Sequence, residues 1–340
     1  MITSAPLTKV QYGLYVECVG HIGEPCYNLP YLYMLDGSLD GERLCRAIEA
    51  AVNAHPTLFT RIRLDENGDP LQTIDLSETF SLSVEPADDI EAVKKLLIVP
   101  FNIYGDRLFH IRLLKDREHY WFFLDIHHII GDGTTLKVML SDLETAYNGG
   151  ELAPEQLTMA EVAIAEAELR KTAALEEGRQ WYARNFDCGD CFTQLTPDLE
   201  IPEHSEDSMV RTLGIDMARV DEFCKGKGIF KSNFFTTAYS FLLARYNNEQ
   251  ESYFTTIYNG RTDKRFLHSV GMTVKTIPVY ARFGNDTTVL DYLKAGQDQM
   301  SGCRKHDVFS FGEVVNELGL QSNSMFAWHG LMFSDEQLCG

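Results

Sequence analysis

The sequence predicts an α+β fold in two lobes, each mixing helices with a largely antiparallel sheet. At 340 residues the chain is too long for one ordinary hydrophobic core. Strand-like and helix-like runs are interspersed without the strict βαβ alternation of a doubly wound sheet. Residues 107–114 and 119–126 are apolar runs joined by the polar turn Lys115-Asp116-Arg117-Glu118, which predicts an antiparallel pair.

Taken in order, residues 39–54 carry Leu44, Ile48, Ala51 and Val52 at helical spacing, and Pro56 stops the helix. Residues 57–64 and 71–74 read as strands, and 80–84 alternates like one. Residues 89–98 read as a short helix. The run 120–126 reads as a buried strand, and 134–147 as a helix ended by Gly149-Gly150. Residues 157–186, rich in Ala, Glu and Arg, predict one long helical stretch, followed by an acidic loop over 187–207 with Pro197 and Pro202. The lobe boundary falls at that helix, giving lobes of 1–175 and 176–340. The second lobe is expected to open with a strand over 209–215 and a helix over 217–225. An apolar helix over 232–246, strands over 253–258 and 272–283, and a helix over 288–304 follow.

Composition narrows the function classes. The net charge of −20, from 50 acidic against 30 basic residues, argues against a nucleic-acid partner, whose phosphates need clustered Lys and Arg. The simplest use of such acidity is solubility. No run of 18 apolar residues exists, so no membrane span is read. The start, Met1-Ile2-Thr3-Ser4-Ala5-Pro6, lacks the charged and apolar regions of a signal peptide, and the cytoplasm is expected. The cysteines at 18, 26, 45, 188, 191, 224, 303 and 339 are then expected to be free thiols. Cys188-Gly189-Asp190-Cys191 has no second pair at zinc spacing, so neither a metal site nor a redox pair is read there.

The chemistry-bearing stretch is His127-His128-Ile129-Ile130-Gly131-Asp132-Gly133, at the exit of the strand ending in Ile126. Adjacent strand residues face opposite ways, so one imidazole can face a cavity while its neighbour packs behind it. Gly131 and Gly133 permit a sharp turn. Asp132 is placed to orient an imidazole, or to pair with an Arg and lock the loop. Histidine titrates near neutrality and can take a proton from an attacking amine, alcohol or thiol. The sequence holds no G-x-S-x-G, no P-loop and no G-x-G-x-x-G. A histidine without a covalent partner fits direct acyl transfer between two bound substrates, driven largely by proximity and orientation.

Several further stretches stand in a telling order. They are 6–15 (PLTKVQYGLY), 35–40 (LDGSLD), 54–58 (AHPTL), 127–133, Asn259-Gly260-Arg261 with 270–278 (VGMTVKTIP), and 305–311 (KHDVFSF). In this order they resemble the condensation domains of nonribosomal peptide synthetases, which share a fold with chloramphenicol acetyltransferase. The resemblance covers essentially the whole chain. Three positions depart from the family pattern: Phe59 stands where Arg is usual, Lys275 where Asn is usual, and Gly13 near a usual Arg.

The resemblance implies two chloramphenicol acetyltransferase-like αβ sandwich lobes in a V, with a tunnel between them. Donor and acceptor carrier proteins dock at its two ends and deliver substrates on phosphopantetheine arms. No tightly bound cofactor or metal is implied. Neighbouring adenylation and carrier domains are the implied partners, and amide formation the implied reaction. On this chain the resemblance makes His128 the catalytic residue, acting as general base or by positioning the amine and stabilising the tetrahedral intermediate. His127 supports it. Asp132 is structural and pairs with Arg261 from the second lobe, and Gly133 allows close approach of the pantetheine arm. The chain stops at Cys339-Gly340, before the family's final motif, so an incomplete second lobe is expected. Opening at Met1 fits a starter domain with a fatty acyl donor. A stand-alone acyl-CoA-dependent O- or N-acyltransferase and a non-catalytic carrier-binding module are the alternatives.

Overall fold

The computed structural model describes residues 2–186, 193, 195, 208–320 and 322–329; Cys188, Cys191 and Cys339 lie outside them. The chain divides into two compact units. The first holds the residues up to Thr172 together with Asn259–Val274, and the second holds Ala173–Tyr258 and the described residues from Lys275 onward.

The first unit runs β1 (Ser4–Pro6), α1 (Lys9–Gly20), β2 (Asn28–Asp36), α2 (Gly41–Asn53), a 3-10 turn (Pro56–Phe59), β3 (Thr60–Leu64), β4 (Pro70–Ile74), β5 (Val84–Pro86), α3 (Ile90–Lys94), β6 (Phe109–Lys115), β7 (His119–His127), α4 (Gly133–Tyr147) and α5 (Met159–Leu169). Its main sheet has the order β2-β7-β6-β5, with β5 parallel to β6 and the other pairs antiparallel. A smaller antiparallel sheet has the order β1-β4-β3. The expected pair is β6 and β7, closed at the turn by Asp116, whose carboxylate accepts from the amides of Glu118 and His119.

β7 is central and covered on both faces, so it reads as an apolar run and not as an alternation. One face sends Phe122, Leu124 and Ile126 into a core with Leu44, Ile48, Ala51 and Val52 of α2 and Leu136, Met139 and Leu143 of α4. The other sets Trp121 and Phe123 against Ala87, Leu97 and Leu114. α2 presents its apolar stripe because Asp40 caps it, accepting from the amide of Arg43, and because Pro56 starts a separate 3-10 turn. Phe59, where the family pattern has Arg, is 3% exposed and stands edge-on to Phe109. A guanidinium there would need a buried partner, and the aromatic ring joins the core instead.

The second unit runs α6 (Ala173–Asn185), α7 (Met217–Lys227), α8 (Lys231–Tyr246), β8 (Glu251–Tyr258), β9 (Lys275–Arg282), α9 (Val289–Lys305), α10 (Phe311–Leu318) and β10 (Met325–Phe326). Its sheet has the order β10-β8-β9, antiparallel between β8 and β9. Tyr253, Phe254, Ile277 and Val279 pack with Leu243, Met300, Cys303, Val314, Tyr182 and Phe186. α8 and α9 approach closely at Gly296, where a Cβ would lie 2.5 Å from the Thr237 hydroxyl.

Several expectations are corrected. The stretch 157–186 is two helices: the Thr172 hydroxyl donates to the Leu169 carbonyl, competing with the next helical turn, and the unit division falls there. The strand over 57–64 yields its first residues to the 3-10 turn, and the helix over 89–98 shrinks to α3. Residues 209–215 form no strand; Val210 is 90% exposed and no strand pairs with them among the described residues. β9 starts at Lys275 because 272–274 belong with the first unit. So does Arg261, which the sequence had assigned to the second lobe. Cys18, Cys26, Cys45, Cys224 and Cys303 are free. Among the described residues no helix is long and apolar enough to cross a membrane.

Leu44→Ala empties a site with no exposure between α2 and the sheet, and is expected to lower the unfolding free energy by about 2–5 kcal/mol. Urea titration followed by circular dichroism measures this, and a loss below about 1 kcal/mol would contradict the packing.

Candidate functional site

β2 pairs with β7 along its length, with Asn28 opposite His127. Beyond that point the chain curls. The His128 amide donates to the Tyr27 carbonyl at 2.8 Å, the Ile130 amide to His127, and α4 begins at Gly133. The two histidines therefore leave the sheet under different backbone constraints.

His127 is buried. Its Nδ1 accepts from the Ile129 amide at 3.1 Å, so the proton of the neutral ring sits on Nε2, 3.5 Å from the Cys18 sulfur. Phe101 stands edge-on to the ring. Burial, and secondarily the neighbouring His128, lower its pKa to about 4. His127 is a neutral donor packed beneath the site.

His128 is half-buried and locked in the opposite sense. Its Nδ1 lies 2.8 Å from the Gly131 carbonyl oxygen, which can only accept, so Nδ1 carries the proton. The neutral ring then keeps its lone pair on Nε2, the nitrogen that can take a proton from a substrate.

Asp132 is the N-cap of α4 and divides its carboxylate between two sets of partners. Oδ1 accepts from the amides of Thr134 and Thr135, each at 3.0 Å. Oδ2 accepts from Arg261 Nη1 at 2.7 Å and from the Thr273 amide at 3.1 Å. Both charged side chains have no exposure. Arg261 also donates to the Thr273 hydroxyl and the Gly271 carbonyl, with its guanidinium 5.3 Å from the Phe266 ring centre. The Gly271 amide donates to the Thr135 hydroxyl at 3.0 Å. Removing either charge would strand the other without water.

Asp125 lies on the same strand face as His127. Asn28 donates to its Oδ2 at 2.6 Å, while Oδ1 has no hydrogen-bond partner among the described residues. Burial raises its pKa to about 6.

The structure thus brings His127, His128, Asp132, Gly133 and Arg261 together in the first unit. Sequence reasoning missed Thr135, Gly271, Thr273 and Asp125. Thr135 was readable as the third helical position after the Asp132 cap, and Asp125 as the one charge in an apolar run. Lys275, where the family pattern has Asn, is ion-paired at 2.9 Å with Asp307, which also accepts from the Tyr258 hydroxyl. Among the described residues no group of His, Cys, Asp and Glu could hold a metal ion.

A family model described as Condensation domain matches residues 1–334. Tyrocidine synthase 3 of Brevibacillus parabrevis is 26% identical over 86% of this chain, and gramicidin S synthase 2 of Aneurinibacillus migulanus is 24% identical over 93%. The chain spans only 5% and 7% of those two proteins. Among solved structures, the first condensation domain of the calcium-dependent antibiotic synthetase (CDA synthetase) matches with a TM-score of 0.78 at 18% identity, covering 98% of this chain and 84% of that one. The X-domain from teicoplanin biosynthesis matches with a TM-score of 0.75 at 22% identity, covering 93% and 74%. The starter condensation domain of rhizomide synthetase matches with 0.73 at 17%, covering 96% and 77%. At these identities the likeness to solved structures shows the fold, the mixed α/β fold of condensation domains. With the family model spanning nearly its whole length, the chain belongs to the condensation-domain family.

Asp132→Asn leaves Arg261 without a counter-charge and is expected to cost about 3–5 kcal/mol of stability, measured by chemical unfolding. A second expectation concerns pH. His127 binds its proton less readily when folded, about 4 against about 6.5 unfolded, so its contribution falls as pH drops through that window. Asp125 binds its proton more readily when folded, about 6 against about 3.9, so its contribution rises as pH drops. The two offset each other. Asp125→Asn is therefore expected to lose stability relative to the parent chain between about pH 6 and pH 4. A pH series of urea midpoints tests this, and parallel curves for the two chains would contradict it.

Proposed function

We propose that the chain forms an amide bond between two substrates carried on phosphopantetheine arms, with His128 as the residue that handles the proton. The observation carrying this reading is the lock between His128 Nδ1 and the Gly131 carbonyl, which leaves Nε2 as the nitrogen that can take a proton. An acceptor amine attacks the donor thioester carbonyl, the C–N bond forms, and the tetrahedral carbon collapses with loss of the donor thiolate. The proton released by the amine nitrogen passes to Nε2 and on to the departing sulfur. His127 stays neutral beneath the site and adds no competing charge. Asp132 and Arg261 hold the turn, and Gly133 keeps its first helical position free of a side chain.

The proposed partners are donor and acceptor carrier proteins, with adenylation domains that charge them; the likeness to tyrocidine synthase 3 and gramicidin S synthase 2 supports this reading. The same reading puts the reaction in the cytoplasm, in keeping with the free cysteines. Fold likeness extends to a starter condensation domain solved with C8-CoA, which supports including a fatty acyl donor among those tested.

With loaded donor and acceptor carriers, amide product is expected by mass spectrometry. His128→Ala is expected to slow its formation by about 10²–10⁴-fold. Product formed at the parent rate in this variant would remove His128 from the mechanism. Turnover of free acyl-CoA without any carrier would instead favour a stand-alone acyltransferase, and carrier binding without product a docking module.

A further inference from the structure

We infer that Glu155, held in place by His55, is a positioning residue for the His128 turn, acting through the segment 270–273. The inference rests on the proposed role of His128.

His55 is 1% exposed and precedes the 3-10 turn that follows α2. Its Nε2 lies 2.7 Å from Asp142 Oδ2 on α4, and its Nδ1 lies 3.7 Å from Glu155 Oε1, within ion-pair range but beyond a hydrogen bond. Burial alone would lower its pKa; the bond to Asp142 and the Glu155 carboxylate outweigh this and raise it to about 9. An imidazolium flanked by two carboxylates is thus enclosed where α2, α4 and the α4–α5 connection meet.

Glu155, with no side-chain exposure, divides its carboxylate as Asp132 does. Oε2 accepts from the Thr57 hydroxyl at 2.8 Å and from the Thr57 amide at 3.2 Å. Oε1 accepts from the Val270 amide at 3.0 Å. The residues after Val270 are tied in turn: Gly271 to Thr135 and Arg261, and Thr273 to Asp132. Gly271 has φ +148, and a Cβ there would lie 2.4 Å from Met159 Cγ, so this stretch has little freedom to settle elsewhere. Glu155 therefore anchors one end of a four-residue bridge whose other end holds Asp132. Asp132 directly follows Gly131, whose carbonyl sets the His128 tautomer. A buried ionic cluster of this kind is weak evidence for stability, and its use here is to fix geometry.

Glu155→Gln tests the inference. An amide has one accepting oxygen, so either Val270 or Thr57 must then face an NH2 group. Hydrogen exchange is expected to quicken about tenfold at Val270 and Gly271, and with them at Ile130 and Gly131 of the turn. Amide formation should fall about tenfold in kcat, with KM for both loaded carriers changed less than about twofold. His55→Gln should shift both readouts in the same direction. Val279→Ala, destabilised in the separate core of the second unit, controls for stability and should keep the parent exchange at Ile130 and Gly131. Unchanged exchange in the turn, or a loss carried by KM, overturns the inference. Exchange needs no turnover: a parent chain that makes no amide would defeat the functional reading alone, and the exchange comparison would still decide whether Glu155 holds the turn.

Discussion

The arrangement around the site depends on one buried ion pair, Asp132 with Arg261. Neither side chain reaches water, so each charge is tolerable only while the other is in place and hydrogen bonds surround it, although Arg261 Nε has no partner among the described residues. Asp132 meets this by facing two ways, with one oxygen on the first amides of α4 and the other on Arg261 and Thr273. The start of α4, the turn before it and the segment 259–274 must therefore fold together. Because 259–274 is drawn into the first unit this way, the compact units do not follow the order of the chain.

On that frame two neighbouring histidines acquire opposite characters. An amide proton points at His127 Nδ1, and a carbonyl oxygen faces His128 Nδ1. The backbone thus chooses both tautomers. One ring becomes a neutral packing element under Phe101 and beside Cys18, and the other keeps an available basic nitrogen. No carboxylate is needed to orient His128, because the turn that Asp132 stabilises supplies the acceptor.

Two of the three departures from the family pattern have local physical explanations. Phe59 is absorbed by an aromatic contact in the core, and Lys275 finds Asp307. Asp125 and His127, two of the polar groups that do remain inside, oppose one another in their response to acid.

Much of the fold was legible because spacing encodes which face of an element is apolar. The pair β6–β7, the helices α2, α4, α8 and α9, and the motif at the strand exit could all be read from periodicity, caps and turn residues. What failed was decided by hydrogen-bond partners that spacing does not encode. Residues 209–215 have strand-like composition, but a strand exists only where another offers its hydrogen bonds, and none does among the described residues. The helix over 157–186 breaks where one threonine hydroxyl takes a backbone carbonyl. The sequence alone determined that a histidine would stand at the end of a buried strand before an Asp-Gly turn. The family resemblance already named Arg261 as the partner of Asp132; which ring nitrogen of His128 is free, and that Arg261 closes on Asp132 from within the same unit, only the tertiary structure decided, because the first depends on where the turn places the Gly131 carbonyl and the second on groups brought together from distant parts of the chain.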